Sequence, residues 1–342
     1  MKVLIAPLNW GLGHATRCIP LIRKYLADGA EVVIAGDGES FALLKKQFPD
    51  LRALPFPELN LTYSKRNSQV WAMAKALPRL IIWGLKDHFA LKNLLAWEQF
   101  DRVVSDNRFG FYISLIPETP GKPTNRTETI YITHQLVIKT PRWLRGLEPL
   151  LASIHRHIIS KYTQCWIPDN AGADNLSGEL SHKYQLPSNA RFIGPLSRFP
   201  VTIKQTDDES TPKEHYDVVA VLSGLEPQRT KLEEEIIRRY QSTDIRVLIV
   251  RGKPEEAHTQ IKHKNITLIP SMNDADLQER ILETDHIIAR SGYSTIMDLE
   301  ALGCLNKAEL IPTPGQPEQK YLAEYLKIKK EKQKNEEPTQ IK

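Results

Sequence analysis

The stretch LNWGLGHATR, residues 8–17, contains the residue types of a strand-to-helix turn that could bind an anion or move a proton. Gly11 and Gly13 permit positive φ and close approach to the backbone, and the first N–H groups of the following helix attract anions. His14 exchanges a proton near neutral pH. Thr16 stands where a dinucleotide fingerprint has its third glycine. The turn is therefore a phosphate cradle, a catalytic turn with His14 as general base, or a tight bend with a capping histidine.

Two further polar side chains follow apolar runs in the first half of the chain. Asp106 ends the run RVVSD, and His134 follows TIYIT. Ligands of open α/β sheets bind at the carboxyl ends of the strands. Asp106 is therefore predicted to face His14, orient its ring and stabilise the imidazolium, with a helix cap as the equal alternative. His134 and Gly11 are candidate contacts to the accepting substrate, and the alternative for His134 is a histidine satisfied at the sheet edge.

The second half repeats the turn chemistry in LSGLEPQRT, residues 222–230. Ser223 and Gly224 follow the apolar run DVVAV, so backbone N–H groups and a hydroxyl lie where a phosphate binds at a helix start. Arg229 is predicted to pair with a diphosphate. The alternative is a capped helix that exposes Glu226 and Arg229 to solvent.

A third turn lies in ARSGYSTIMDLEALG, residues 289–303. Ser291 and Gly292 form the turn and Thr295 heads the next helix, so all three are candidate phosphate contacts. Asp298, one turn further, is a candidate ligand of a ribose hydroxyl pair, or else an exposed helix acid. The Pro- and Gly-containing loop IPTPGQPEQ follows, and Gln319 is its main candidate partner for sugar hydroxyls.

The candidate residues must be positioned by the secondary-structure elements around them. Short apolar runs alternate with helical stretches in both halves, which predicts parallel, doubly wound sheets. Residues 200–215, PVTIKQTDDESTPKEH, have the polar composition of a linker. We therefore predict an α/β protein with two Rossmann-like domains, 1–199 and 216–342, joined by a linker over 200–215.

The charge, the cysteine content and the absence of certain motifs in the sequence argue against several classes of function. The net charge of +5 includes +3 from residues 325–342, which hold six Lys and three Glu, so the body has no focused basic face for nucleic acid. Three scattered cysteines without a CxxC motif fit a reducing cytoplasm. No HxxxH or CxxC motif predicts a metal, and no GxSxG motif predicts a serine nucleophile. Trp143 is typical of a core or partner surface, and the alternative is peripheral contact at the inner face of a membrane.

Four motifs, GLGHATR, SG at 223–224, ARSGYSTIMDLEALG and IPTPGQPEQKYLA, are spread in order from residue 11 to residue 323. Together they resemble the GT-B fold glycosyltransferases, above all the group around the bacterial N-acetylglucosaminyltransferase that forms lipid II, in glycosyltransferase family 28. The resemblance implies two Rossmann-like domains that face each other across a cleft. The N-terminal domain would bind a glycan or lipid-linked acceptor, and the C-terminal domain a nucleotide-sugar donor. It also implies inverting, metal-independent transfer of a hexosyl or N-acetylhexosaminyl group from a UDP-sugar, without a cofactor.

The resemblance also implies roles for single residues. His14 would act near acceptor and diphosphate, with Gly13 on the donor side, and Ser223 and Gly224 would hold the diphosphate. Asp298 falls where the family carries an acidic ribose ligand, and Gln319 where a glutamine reads the donor sugar.

Two departures from the family pattern stand beside these matches. Leu225-Glu226-Pro227 replaces a more glycine-rich loop, and a glutamate there is unfavourable for a diphosphate unless Arg229 offsets it. The C-terminal domain is expected to be shortened at its end, since YLAEYL runs into a lysine-rich segment. A nucleotide-sugar 2-epimerase-like enzyme and a non-catalytic nucleotide-sugar-binding protein are the alternatives.

Overall fold

The computed structural model describes residues 1–56, 69–113, 127–199, 214–224, 226–253 and 260–336. The chain divides into two compact units, Met1–Leu196 and Ser197–Lys342, each built on one mainly parallel sheet. The predicted α/β fold with two Rossmann-like domains is confirmed. Nearly all of the predicted linker lies outside the described residues, so the predicted domain limits stay predictions.

Unit 1 holds seven strands, which pair in parallel in the order β3-β2-β1-β4-β5-β6-β7. Most of them are short apolar runs buried on both faces, as in a sheet covered by helices on both sides. In chain order the strands are β1 (Lys2–Pro7), β2 (Glu31–Gly36), β3 (Arg52–Pro55), β4 (Arg102–Asp106), β5 (Glu128–Ile132), β6 (Gln164–Ile167) and β7 (Ala190–Phe192).

Helices cover both faces of this sheet. One core layer takes apolar side chains of α1 such as Cys18, Ile19 and Ile22, which recur at helical spacing. The other layer takes Leu91 and Ile159 from two later helices. The helices of unit 1 are α1 (Leu12–Ala27), α2 (Gly38–Gln47), α3 (Gln69–Trp97), α4 (Glu148–Ile159) and α5 (Glu179–His182), with a 3-10 helix at Arg142–Leu147 before α4.

Unit 2 holds six strands in the order β10-β11-β9-β8-β12-β13, parallel except for the antiparallel pair β10–β11. Its strands are β8 (Val218–Val221), β9 (Val247–Val250), β10 (Ile261–His263), β11 (Ile266–Ile269), β12 (His286–Arg290) and β13 (Ala308–Ile311). Its helices are α6 (Gln228–Tyr240), α7 (Asp274–Glu283), α8 (Tyr293–Ala301) and α9 (Pro317–Glu336), with a 3-10 helix at Leu305–Lys307.

The pattern of apolar runs in the sequence did not predict the edge strands β10 and β13. Each is three or four residues long and none of their residues is fully buried. An edge strand needs one apolar face at most, so IKH and AELI lack the continuous apolar run that marks the central strands.

Chain order reverses beside β1 in unit 1 and beside β8 in unit 2. There β1 lies between β2 and β4, and β8 lies between β9 and β12. Ligands of doubly wound folds bind outside the carboxyl ends of strands at such a reversal. All three predicted turns follow strands at these two positions.

Candidate functional site

The turn after β1 is held by the start of α2. Gly11, the residue before α1, has φ 91°, a conformation that side chains rarely adopt. The Ser40 hydroxyl donates to the Gly11 carbonyl at 3.2 Å, and the Ser40 N–H donates to Oδ1 of Asn9 at 3.1 Å. The space around Gly11 is open, so φ and not crowding requires glycine.

His14 lies in the first turn of α1 and meets Asp106, the last residue of β4. The sheet register pairs Pro7 with Asp106, so β1 and β4 end side by side. Nδ1 of His14 is 3.0 Å from Oδ1 of Asp106, with 15% of the histidine side chain and none of the aspartate side chain exposed. The structure therefore brings together the two residues predicted as base and orienting carboxylate; their catalytic roles stay predictions.

Arg17 joins this pair and is the residue to which sequence reasoning gave no role. Its Nε donates to Oδ2 of Asp106 at 2.9 Å and its Nη2 donates to Oδ1 at 2.5 Å, a two-point fork. Nη2 also lies 2.8 Å from Nδ1 of His14. A sequence signal was present, because residues three apart on a helix share a face.

The same guanidinium also contacts His134, which follows β5. Nη1 of Arg17 lies 2.8 Å from Nδ1 of His134. A guanidinium only donates, so this contact is a hydrogen bond when Nδ1 of His134 accepts. Three of the predicted unit 1 residues, His14, Asp106 and His134, thus form one cluster around Arg17; the acceptor contact of His134 stays a prediction.

Burial and the neighbouring charges shift the pKa values of this cluster. Burial lowers the pKa of His14, and Arg17 and His134 lower it further against the opposing effect of Asp106. Burial raises the pKa of Asp106, but Arg17 and His14 outweigh it, and the net shift is downward. A charged carboxylate beside a neutral imidazole is the state in which His14 can accept a proton.

A second series of hydrogen-bonded polar side chains begins at Asn107, next to Asp106. Asn107 has φ 61°, and its Oδ1 accepts from the Tyr131 hydroxyl at 2.7 Å. That hydroxyl is also 3.2 Å from Nε2 of His155 on α4. Burial lowers the pKa of His155 to about 4, so the ring is neutral. His155 is buried, whereas His157, two residues further on the same helix, is exposed.

In unit 2, the turn after β8 surrounds an ion pair. Gly224 has φ 95°, with open space where a Cβ would lie. Nε of Arg229 donates to Oε1 of Glu226 at 3.0 Å, and its Nη1 donates to the Gly252 carbonyl at 2.5 Å. Arg229 is buried and Glu226 is exposed, so the alternative that exposes both side chains is wrong for Arg229 only, and Arg229 pairs with Glu226. Its contact with a diphosphate, like those of Ser223 and Gly224, stays a prediction.

Hydrogen bonds join the turn after β12, the loop before α9 and the first turn of α9. The buried Ser291 hydroxyl donates to the Gln319 carbonyl at 2.8 Å, and Oε1 of Gln319 accepts from the Thr313 N–H at 2.8 Å. The Gln319 amide nitrogen and the Thr295 hydroxyl both lie 4.0 Å from the position of a Cβ on Gly292. Two side-chain hydrogen-bond donors therefore converge at the start of α8.

Arg290, the last residue of β12, lies next to this turn. It is buried, and it donates to the carbonyls of Gln228 at 2.7 Å and Pro312 at 3.2 Å. Burial lowers its pKa, with Glu235 opposing. The guanidinium thus ties the start of α6 to the end of β13.

Asp298 on α8 is buried, so the exposed-acid alternative is wrong. Its Oδ1 accepts from the Ser197 hydroxyl at 2.8 Å and from the Arg198 N–H at 3.1 Å, and Oδ2 lies 3.2 Å from Nε of Arg198. Burial raises its pKa, against the lowering effect of Arg198 and Ser197. The contact with ribose stays a prediction, and a ribose would share these oxygens.

Among the described residues, no group of three or more His, Cys, Asp or Glu side chains could hold a metal ion. None of the helices in the described ranges is long and apolar enough to cross a membrane.

Comparison with known proteins identifies the fold. No protein-family model matches the chain. An uncharacterized glycosyltransferase of Methanosarcina acetivorans is 22% identical over 311 residues, which cover 89% of this chain and 78% of that protein. The glycosyltransferase SnogD of Streptomyces nogalater has a TM-score of 0.56 at 16% identity, covering 96% of this chain and 85% of its own. A Listeria monocytogenes protein provisionally assigned as a UDP-N-acetylglucosamine 2-epimerase has a TM-score of 0.51 at 12% identity, covering 96% of this chain and 88% of its own.

These comparisons indicate one type of fold. Glycosyltransferases and an epimerase-type protein share the two-domain parallel-sheet architecture of this chain, and the relative detected by sequence is described as a glycosyltransferase. The chain has the fold of the GT-B glycosyltransferases and is glycosyltransferase-like in that sense.

Proposed function

We propose that the protein is an inverting, metal-independent glycosyltransferase that moves a hexosyl or N-acetylhexosaminyl group from a UDP-sugar to a hydroxyl of a glycan or lipid-linked acceptor. One observation carries this proposal: a buried Asp106 carboxylate 3.0 Å from His14 at the carboxyl edge of a GT-B-type sheet. The pair has the geometry of a general base with an orienting carboxylate.

In the proposed reaction, the acceptor oxygen bonds to the anomeric carbon of the donor while the bond from that carbon to the diphosphate oxygen breaks. The hydroxyl proton moves to Nε2 of His14, while Nδ1–H donates to Asp106. UDP leaves with the electron pair of the broken bond. His134, with its proton on Nε2, would donate to an acceptor oxygen.

The donor diphosphate would bind in unit 2, at the start of α8. The Thr295 hydroxyl and the Gln319 amide there can both donate hydrogen bonds, and the positive end of the helix dipole suits a leaving diphosphate. The buried Arg290 is the last residue of β12, three residues before the start of α8. Ser223, Gly224, Arg229, Ser291, Gly292 and Asp298 are retained as proposed donor contacts.

The experiment is turnover of a UDP-sugar panel by the full-length chain, with and without acceptor hydroxyls and in EDTA. His14→Ala is expected to lower turnover by about 10²–10⁴-fold and to leave UDP affinity within a few-fold. His157→Ala, an exposed histidine on α4, is the matched control and should retain the full rate. A His14→Ala protein that keeps its rate but unfolds more easily would reduce His14 to a structural cap.

The same assay separates the alternatives. Donor conversion without any acceptor would indicate an epimerase-like enzyme, consistent with the likeness to the Listeria protein. UDP binding without turnover of any donor would indicate a non-catalytic nucleotide-sugar-binding protein. A requirement for Mg²⁺ would contradict the metal-independent mechanism.

We also propose peripheral contact between unit 1 and an anionic membrane, through exposed side chains of α3 and of the segment 143–154. The exposed apolar side chains of these two segments are Ile81, Ile82, Leu85, Phe89, Trp97, Trp143, Leu147, Leu150 and Ile154. Exposed basic residues such as Arg79, Lys86 and Arg145 accompany them, whereas the acids Asp87 and Glu148 of the same segments are buried. Aromatic and basic side chains on one face are typical of interfacial helices.

Vesicle cosedimentation tests this contact. Binding to phosphatidylglycerol vesicles but not to phosphatidylcholine vesicles is expected, and the double variant Phe89→Ser, Trp143→Ser should lose it. Ile261→Ser, an exposed apolar residue of unit 2, is the control. Equal binding by the wild type and the double variant would contradict the proposal. The cytoplasmic location stays a prediction.

A further inference from the structure

Nδ1 of His14 has two neighbours that require opposite protonation states. Oδ1 of Asp106, at 3.0 Å, can only accept, so that hydrogen bond needs a proton on Nδ1. Nη2 of Arg17, at 2.8 Å, can only donate, so that hydrogen bond needs a bare Nδ1. The two bonds exclude each other, and each protonation state of Nδ1 has its own partner already in place.

Arg17 has little freedom to leave this position. Only 2% of its surface is exposed, and its fork to Asp106 fixes the plane of the guanidinium. Its Nη1 is engaged by His134. The Nη2 amino group therefore stays within hydrogen-bond distance of Nδ1 of His14, and an Nη2 hydrogen left without an acceptor in this buried place would be costly.

We propose that Arg17 is the positioning residue of His14: it holds the bare Nδ1 directly, and it holds in place the carboxylate that takes the protonated Nδ1. Nδ1 of His14 thus has a partner in both neutral tautomers: Arg17 in the resting form with the proton on Nε2, and Asp106 in the Nδ1–H form that can accept a proton at Nε2. This inference rests on the proposed function of His14 as the base, and it adds the group that keeps this base in place.

Three charged or titratable groups face His14 from the elements packed against it: Arg17 on α1, Asp106 on β4 and His134 after β5. Asp106 favours the imidazolium, whereas Arg17 disfavours it. Removal of the arginine charge leaves the carboxylate as the dominant neighbour. The His14 ring should then become more basic and carry its neutral proton on Nδ1 more of the time.

The chain offers a matched control for a buried arginine. Arg108 makes the same two-point fork to Asp87, from Nε to Oδ2 at 3.0 Å and from Nη2 to Oδ1 at 2.7 Å, and it is fully buried. Aromatic rings surround it, and the contacts described for it include no histidine. Arg108 is not among the charged groups that act on His14, so its loss removes a buried fork from the same unit and keeps Arg17, Asp106 and His134.

The experiment is NMR titration of the ¹⁵N-histidine-labelled full-length chain without substrate, with His14 assigned through His14→Gln. In Arg17→Met, the pKa of His14 should rise by about one unit or more and the Nδ1–H fraction should increase. Arg108→Met should change neither. An unchanged His14 in Arg17→Met, or an equal change in Arg108→Met, overturns the proposal.

Arg17→Lys provides the test if Arg17→Met does not fold. A lysine keeps a cation near Asp106 but lacks the planar fork, so the Nδ1–H fraction should still increase while the pKa moves less. An unchanged Nδ1–H fraction in Arg17→Lys overturns the proposal. Because these readouts need no substrate, a missing transferase activity would count against the proposed function and not against this inference.

Discussion

Unit 1 contains two buried arginine–aspartate forks whose neighbours differ. Arg17–Asp106 lies at the carboxyl edge of the sheet and contacts His14 and His134. Arg108–Asp87 joins the loop after β4 to α3, and the Arg108 guanidinium lies 4.7 Å from the Phe111 ring, 5.6 Å from Trp83 and 5.9 Å from Phe56. The same pair of residue types therefore has two different uses in one domain.

The carboxylate pKa values show this difference. Burial raises the pKa of Asp87, and Arg108 does not fully offset it. Burial also raises the pKa of Asp106, but there Arg17 and His14 together outweigh it. A buried ion pair among aromatic rings contributes packing and orientation. A buried ion pair beside an imidazole also sets where a proton resides.

The largest expected effect separates the two forks by activity. Asp106→Asn is expected to lower turnover by about 10²–10⁴-fold, since His14 loses the carboxylate that stabilises its charged form. Asp87→Asn should retain the turnover of its folded fraction, although both variants break a buried pair and should lose about 3–5 kcal/mol of stability. Steady-state kinetics and urea unfolding measure both quantities. Equal losses of turnover in the two variants would show that the Arg17–Asp106 fork has no role in activity that the Arg108–Asp87 fork lacks.

The next prediction replaces each fork by apolar residues of similar size. The double variant Arg108→Met, Asp87→Leu should be neutral or more stable by about 1–4 kcal/mol, because a desolvated pair is exchanged for apolar packing. Arg17→Met, Asp106→Leu should fold comparably but be inactive. Thermal unfolding and the turnover assay test this pair of variants. Marked destabilisation of the Arg108 double variant would mean that its fork stabilises the fold in itself.

A third prediction concerns acid, where a buried histidine without a carboxylate contrasts with His14. The pKa of His155 is lowered by burial to about 4. Below pH 6.5 this histidine is protonated in the unfolded chain but stays neutral in the folded chain. Its contribution to the free energy of unfolding is therefore fully present above pH 6.5 and is lost as the pH falls toward 4, by about 3 kcal/mol in total. His155→Gln should flatten this fall in urea unfolding across that range, and His157→Gln should not. An equally steep fall in His155→Gln would refute the assignment.

The smallest expected effect concerns the support of the Arg108 loop. The Tyr162 hydroxyl donates to the Arg108 carbonyl at 2.6 Å. Tyr162→Phe should lower stability by about 0.5–1.5 kcal/mol through the lost hydrogen bond, with turnover unchanged. Tyr184→Phe, on a partly exposed ring, is the control. A loss of activity in Tyr162→Phe would connect the two forks functionally.

Periodic apolar runs and the turn residues after them were enough to predict most of the fold. Central strands such as VLIAP and VVAV are continuous apolar runs, and the glycine-containing turns after β1, β8 and β12 mark their ends. Local patterns do not encode the edge strands β10 and β13, since exposure on one side removes the apolar run. The predicted pair His14 and Asp106 came from a rule about strand ends, and the register of β1 and β4 places them together.

The sequence by itself determined the α/β class, the three strand-to-helix turns and the residue types available at each. Only the tertiary structure decided the partners: Arg17 between His14, Asp106 and His134, and Asp298 against Ser197 and Arg198. Most of these contacts join residues about a hundred positions apart in the chain. A buried charge finds its partner through the packing of strands and helices, and that packing depends on the whole sheet rather than on the residues around the charge.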